Sequence, residues 1–349
     1  MVRIGIVGVG FMGWMHYVAY QGASNVKVTA ISTRDAKRLA GDWRGIQGNF
    51  GPPGEQIDVT NVAQYADWHD LVQDVNVDVV DICLPPHLHE EVALAASRAG
   101  KHVFCEKPLG LTAAECDAMV AAANSAGRQL FAGHVLPFLP EYAKARELIA
   151  SGVYGKLLGG HFRRVISDPL WIKDFYDPAR VGGPLLDLHV HDAHFIRLLF
   201  GMPKAVVSQG RMRGETVEYC NTFFRFADSQ LAVSASSGIV NQQGRPFAHS
   251  FEIHLEAATI FFEFAVLSDK AGNLVTPLTV LTADGKVTRP EMPEGDPMLA
   301  AFAAEVAEVT ECAAANRPSA LLSGDLARDA VVLCHKQTEA VRTGNIVTV

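Results

Sequence analysis

The sequence predicts an α/β protein of two domains, with a doubly wound parallel sheet over residues 1–133. An α+β domain built on a mostly antiparallel sheet is predicted over residues 134–349. Three observations carry this. A short apolar run at residues 2–7 enters Gly8-Val9-Gly10-Phe11-Met12-Gly13 and then a helical pattern. Apolar strand-like runs and helical patterns alternate as far as residue 132, which is how parallel strands with right-handed crossovers read. Beyond His134 the strand-like runs follow one another without helices between them, which favours antiparallel pairing. A chain of 349 residues also exceeds what a single core usually supports.

In the first domain, strands are expected at residues 2–7, 26–31, 77–83, 102–105 and 129–132, and helices at 11–22, 67–74, 87–99 and 112–126. Residues 41–57, rich in Gly, Pro and Asn, read as a long surface loop. In the second domain a helix at 140–151 precedes strands at 157–166, 204–213, 218–227, 230–238, 250–256 and 258–264. A helix over 185–199 interrupts them and stops ahead of Gly201 and Pro203. Helices at 297–315 and 323–342 close the pattern.

Composition narrows the function. A net charge of −8, with 49% hydrophobic and 19% charged residues, describes an ordinary soluble protein and argues against nucleic-acid or anionic-membrane partners. Neither a signal peptide nor a membrane-spanning run is read, so a cytoplasmic protein is expected. The six cysteines form no CxxC pair and read as buried, reduced thiols. A thiolate zinc site is not expected.

The glycine turn has the chemistry of a dinucleotide site. Gly8 permits the tight turn, Gly10 lets backbone approach phosphate, and Gly13 brings helix and strand together, leaving the pyrophosphate at a helix N-terminus. A carboxylate about 20 residues further on would hold the adenosine ribose. Here that strand ends Ser32-Thr33-Arg34, two hydroxyls and a guanidinium suited to a 2′-phosphate. NADP(H) is therefore preferred to NAD(H), although Asp35 is a carboxylate that can still turn inward. The run Val103–Leu109 ends a strand in Glu106-Lys107-Pro108, and the carboxyl ends of parallel strands face the ligand crevice. Lys107 should point at bound cofactor, where an ammonium can stabilise a forming alkoxide.

The segment Gly182–His194 carries Asp187, His189, His191 and His194. On an α-helix, Asp187, His191 and His194 fall within roughly 60° of one another and His189 points away to pack locally. An Asp one turn before a His can orient the imidazole as a base. The same face is also a candidate metal site, but without a fourth ligand or a second motif no metal is expected.

These pieces together resemble the glucose–fructose oxidoreductase/inositol dehydrogenase/rhizopine-catabolism family, Gfo/Idh/MocA. The matching segments are GVGFMG at 8–13, VDICLPPHLH at 80–89, EKPLGLT at 106–112, SGVYGK at 151–156 and GGPLLDLHVHD at 182–192. The resemblance implies an N-terminal Rossmann domain, a C-terminal domain with a large open sheet, and a homodimer or homotetramer built through that sheet. It implies that Lys107, Asp187 and His191 are catalytic, with His191 as base. It further implies cofactor contacts from Gly10, Phe11, Met12, Leu84, Pro85 and His87, with Glu106 near the nicotinamide ribose. The expected activity is hydride transfer between a sugar or polyol carbinol carbon and NADP or NAD. His161, Arg163, Trp171 and His194 are candidate substrate contacts. Two alternatives are a redox-neutral enzyme (an epimerase, a hydrolase or a paired oxidation–reduction) with tightly held, recycled NAD(P), and a non-catalytic dinucleotide-binding regulator.

Overall fold

A computed structural model describes residues 1–172, 174–269 and 272–349. In chain order the elements begin β1 (Val2–Val7), α1 (Phe11–Gly22), β2 (Val26–Ser32), α2 (Ala36–Leu39), β3 (Ala63–Tyr65) and α3 (Trp68–Gln73). They continue β4 (Val79–Ile82), α4 (His89–Arg98), β5 (His102–Glu106), α5 (Ala113–Ser125), β6 (Leu130–Gly133), α6 (Pro140–Ala150) and β7 (Leu157–Ser167). A π-helical turn at Leu185–His189 leads into α7 (Val190–Phe200). Then come β8 (Ala205–Arg213), β9 (Thr216–Arg225), β10 (Ala232–Val240), β11 (Phe247–Leu255), β12 (Ala258–Val266), β13 (Asn273–Thr282) and β14 (Val287–Thr288). The last elements are α8 (Pro297–Ala314), α9 (Gly324–Thr343) and β15 (Val347–Thr348).

The chain divides into two compact units, Met1–Leu139 with Glu294–Arg328, and Pro140–Pro293 with Asp329–Val349. The first holds an all-parallel sheet in the order β3-β2-β1-β4-β5-β6. The order reverses between β1 and β4, and such a switch point opens a ligand crevice at the strands' carboxyl ends. Ile4, Ile6, Val79, Val80, Val103 and Phe104 are fully buried, as strands covered on both faces require.

Phe302, Val306 and Val309 of α8, which lie past the boundary expected at 133/134, join the core of β1 and α1. Their i, i+4, i+7 spacing is an apolar stripe that must be covered, and the first sheet covers it. Residues 41–57 are not a simple surface loop. Trp43 is fully buried, lying edge-on to Trp14 at 5.9 Å and to Tyr17 at 4.9 Å. Its indole N–H donates to the Arg38 carbonyl at 2.7 Å, and that of Trp14 donates to the Pro52 carbonyl at 2.8 Å. The large rings bind the segment to α1 despite its Gly and Pro content.

The second unit holds a nine-stranded sheet, ordered β14-β13-β12-β11-β7-β10-β9-β8-β15. Only β7 and β10 pair in parallel, so the mostly antiparallel expectation is met. Inward residues Phe162, Phe251 and Phe262 gather around Tyr142 of α6 and Phe195 of α7. β13 was not expected, and Pro277 within it explains why, since it sits where the β12–β13 register slips. Among the described residues no helix is long and apolar enough to cross a membrane. All six cysteines are free, five of them buried and Cys83 partly so.

Candidate active site

The glycine turn is built for close approach. Gly8 has φ +102°, and a Cβ there would lie 2.4 Å from the Cys83 carbonyl oxygen. At Gly13 a Cβ would lie 2.2 Å from the Gly8 carbonyl oxygen, so β1, α1 and the end of β4 meet as they do only through glycine. Gly10 stands at the N-cap of α1 with no side-chain cap and no acidic residue in the first turn. A Cβ on Gly10 would meet nothing within 4 Å. The first N–H groups of α1, those of Phe11 and Met12 among them, have no intrahelical acceptor, and the positive end of the helix dipole lies behind them. This cradle fits a pyrophosphate.

At the tip of β2, Ser32 is buried, Thr33 half-buried and Arg34 exposed. Asp35 does not turn towards a ribose. Its carboxylate caps α2, accepting from the Lys37 N–H at 2.9 Å and the Arg38 N–H at 3.2 Å. Arg38 was not anticipated: its Nη1 donates to the Val9 carbonyl inside the glycine turn at 2.8 Å. Nothing in its local sequence marks that reach across 29 residues.

At the tip of β5, Glu106 is buried and its Oε2 accepts the Lys107 N–H at 3.1 Å. Lys107 is half-buried, and the Lys107–Pro108 peptide is cis. α5 starts just beyond through a capping box. Thr112 Oγ1 accepts the Glu115 N–H at 3.1 Å, and Glu115 Oε2 accepts the Leu111 N–H at 2.8 Å. The ring of buried His89 reaches the Pro108 carbonyl at 2.9 Å and the Leu84 carbonyl at 2.8 Å. It thus clamps the turn after Lys107 to the segment holding Leu84, half-buried, and Pro85 and His87, both exposed. Burial lowers the pKa of His89.

Behind Glu106 lies a buried cluster that sequence reasoning missed. His16 Nε2 is 3.0 Å from Glu106 Oε1, and its Nδ1 is 3.1 and 3.0 Å from the two Asp81 oxygens. Tyr20 donates to Asp81 at 3.0 Å, and the Cys83 thiol lies 3.4 Å from both Asp81 and His16. Burial opposes a charged ring, yet the charge of Asp81, its hydrogen bond and Cys83 hold the His16 pKa well above the ordinary imidazole value. The available signal was Asp81 itself, a lone acid in the apolar run Val79-Val80-Asp81-Ile82.

Glu305 of α8 is fully buried, and among the described residues neither carboxyl oxygen has a hydrogen-bond partner. Burial, with Glu106 and Asp81 adding repulsion against the pull of His16, pushes its pKa well above the usual value. An acid raised in this way contributes stability below its unfolded pKa of about 4.3 that is lost as pH rises through the folded value. Glu305→Gln, always neutral, is expected to gain on the wild type as pH rises. In urea titrations the variant should be the more stable by about 1–3 kcal/mol at neutral to mildly alkaline pH, with a smaller gap near pH ~5. An advantage that shrinks with rising pH would contradict this.

In the second unit, Asp187 lies in the π-helical turn and His191 in the first turn of α7, and both are half-buried. The uniform α-helical phasing expected for this segment is corrected, because a π turn holds more residues than an α turn. His194 is fully buried, unlike Asp187 and His191. His189 is buried, but its partner is not local: it accepts from Gln337 Nε2 of α9 at 2.9 Å, and Gln337 also donates to Thr222 Oγ1 at 2.9 Å. Burial lowers the pKa of His189. Beneath α7, Asp192 takes Arg164 of β7 in a buried ion pair at 2.7 Å.

The proposed substrate contacts do not gather at α7. Strand alternation turns Phe162 and Arg164 towards α7, so His161 and Arg163 occupy the opposite face of the sheet. There His161 shares a hydrogen bond with Ser234 at 2.9 Å, and Arg163 pairs with Glu263 at 2.9 Å. Trp171 is exposed on the loop after β7. Among the described residues, the His, Cys and acidic groups close enough to share an ion are His16, Asp81 and Cys83, already hydrogen-bonded to one another.

The glycine turn at the strand-order switch defines a dinucleotide-binding Rossmann fold. Residues 2–134 match the oxidoreductase family with an NAD-binding Rossmann fold, and residues 142–261 match the GFO/IDH/MocA C-terminal domain. The chain belongs to the Gfo/Idh/MocA family. It is 34% identical over 202 residues to a myo-inositol 2-dehydrogenase of Thermotoga maritima, covering 57% of this chain and 55% of that one. To a levoglucosan dehydrogenase of Pseudarthrobacter phenanthrenivorans it is 28% identical, covering 75% and 74%. The match thus spans about half the length of the inositol enzyme. A levoglucosan dehydrogenase structure, in complex with NADH and levoglucosan, shares the fold with TM-score 0.79 at 22% identity, covering 100% of this chain and 99% of that one.

Proposed function

We propose that this chain is an NAD(P)-dependent dehydrogenase or reductase acting on a carbinol of a sugar or polyol. The observation that carries the reading is the uncapped start of α1 behind Gly8–Gly13, at the strand-order switch, with Lys107 at the tip of β5 in the same crevice. The names of the inositol and levoglucosan dehydrogenases support the substrate class.

The N–H groups at the start of α1 hold the pyrophosphate, and Leu84, Pro85, His87 and Glu106 border the nicotinamide side. A bound nicotinamide supplies a two-electron hydride acceptor or donor. The ammonium of Lys107 donates to the carbinol oxygen and stabilises its negative charge as the hydroxyl proton leaves. His191 takes that proton, and Asp187 steadies the imidazolium that results. Titration with NADPH or NADH by calorimetry should show one saturable site per chain. No saturable binding of either overturns the reading.

Ser32, Thr33 and Arg34, with Arg38 beside the glycine turn, favour NADPH over NADH, and Asp35 is already committed to α2. Arg34→Ala should weaken NADPH by about 10–100-fold, the loss of a charge-assisted phosphate contact. NADH affinity should move by no more than about twofold. Equal losses for both would contradict a 2′-phosphate role. The outer face of the nine-stranded sheet, bearing Phe223 and the Arg163–Glu263 pair, is taken to meet a second copy of the chain. Sedimentation should then give at least twice the 37.7 kDa chain mass.

A further inference from the structure

The buried ring of His16 joins three elements. It lies flat on Phe104 of β5, with centroids 4.9 Å apart and planes 9° apart. Asp81 of β4 stands at Nδ1 and Glu106 of β5 at Nε2, so both ring nitrogens face carboxyl oxygens, an arrangement that suits an imidazolium donating from both. The second oxygen of Glu106 holds the Lys107 N–H. A continuous set of hydrogen bonds therefore runs from β4 through α1 to the backbone of Lys107.

We infer that His16 is a positioning residue. It ties the helix that forms the pyrophosphate cradle to the strand tip that carries Lys107, and so sets the nicotinamide half of the crevice. Strand order supplies the direction: the adenosine end belongs to the tip of β2 on one side of β1, so the nicotinamide end belongs to β4 and β5 on the other. The assignment rests on the dinucleotide reading above.

A packing role alone would be filled better by an apolar side chain, because a buried charged trio is costly unless its geometry is used. The titratable groups facing the ring are Asp81 and Cys83 from β4 and its end, Glu106 from β5 and Glu305 from α8, with Tyr20 on the same helix bonded to Asp81. Burial pushes the Cys83 thiol and the Glu305 carboxyl up, and the carboxyl oxygens at hydrogen-bond distance from the ring are those of Asp81 and Glu106.

The test compares a whole dinucleotide with its adenosine-side fragment. Binding of NADH and of ADP, with NADPH and 2′-phospho-ADP in parallel, is measured on the wild type and on His16→Gln. The variant should bind the preferred dinucleotide about tenfold or more weakly, while the fragment changes by no more than about twofold. Melting temperature records any structural cost separately. Equal losses for dinucleotide and fragment, or no loss for either, overturn the inference. Should His16→Gln not fold, the near-isosteric Asp81→Asn carries the same expectation. A wild type that binds neither dinucleotide nor fragment overturns the dinucleotide reading itself, and the inference with it.

Discussion

Lys107→Met is expected to lower kcat by about 10²–10⁴-fold, the usual share of a positioned proton-handling or charge-stabilising group. Met keeps most of the length and apolar stem of lysine but cannot donate to an oxygen that is losing its proton. Glu106 accepts the backbone N–H of Lys107, a contact that the substitution leaves in place, so the strand tip should keep its shape in the variant. Dinucleotide affinity should therefore fall far less than kcat. Steady-state kinetics on a polyol that the wild type oxidises check this, with nucleotide binding measured alongside. A kcat within about threefold of wild type would remove Lys107 from the chemistry.

Asp192→Ala should cost about 3–5 kcal/mol, because it strands the Arg164 guanidinium in the interior. Both side chains are buried, and Arg164 also lies over the Phe247 ring at 5.8 Å from its centroid. The pair fastens α7 to β7 next to His191, so the same change should displace the proposed base. Urea unfolding gives the loss of stability. The double variant Arg164→Met with Asp192→Ala should recover much of it, since no buried charge is then left alone. A single variant within about 1 kcal/mol of wild type would mean that Arg164 reaches solvent or another partner instead.

Local signals were legible in the sequence. The Gly8–Gly13 turn, the alternation through β6 and the run of antiparallel strands each rest on neighbouring residues, and each appears where expected. The end of β5 at Glu106, just before Lys107, and the start of the helical segment at Leu185, just before Asp187 and His191, were placed as well. What escaped was decided at long range. His16 finds Asp81 65 residues away and Glu106 90 residues away, and no periodicity connects them. α8 carries an ordinary amphipathic pattern that does not say which sheet will cover it, and it packs with the first unit. Trp43 was masked by its Gly- and Pro-rich neighbours, and β13 by Pro277. The π turn has no pattern of its own; an α-helical wheel drawn through it misplaces Asp187 relative to His194.

The most direct test of the central claim follows the near-ultraviolet absorbance of reduced nicotinamide. Purified protein is mixed with NADP⁺ or NAD⁺ and, in turn, with inositols, anhydro sugars and free aldoses. A sugar-dependent rise in absorbance that Lys107→Met and His191→Ala both abolish is the predicted result. Saturable dinucleotide binding with substrate turnover but no net change in absorbance would contradict it, and would make the chain a redox-neutral catalyst instead.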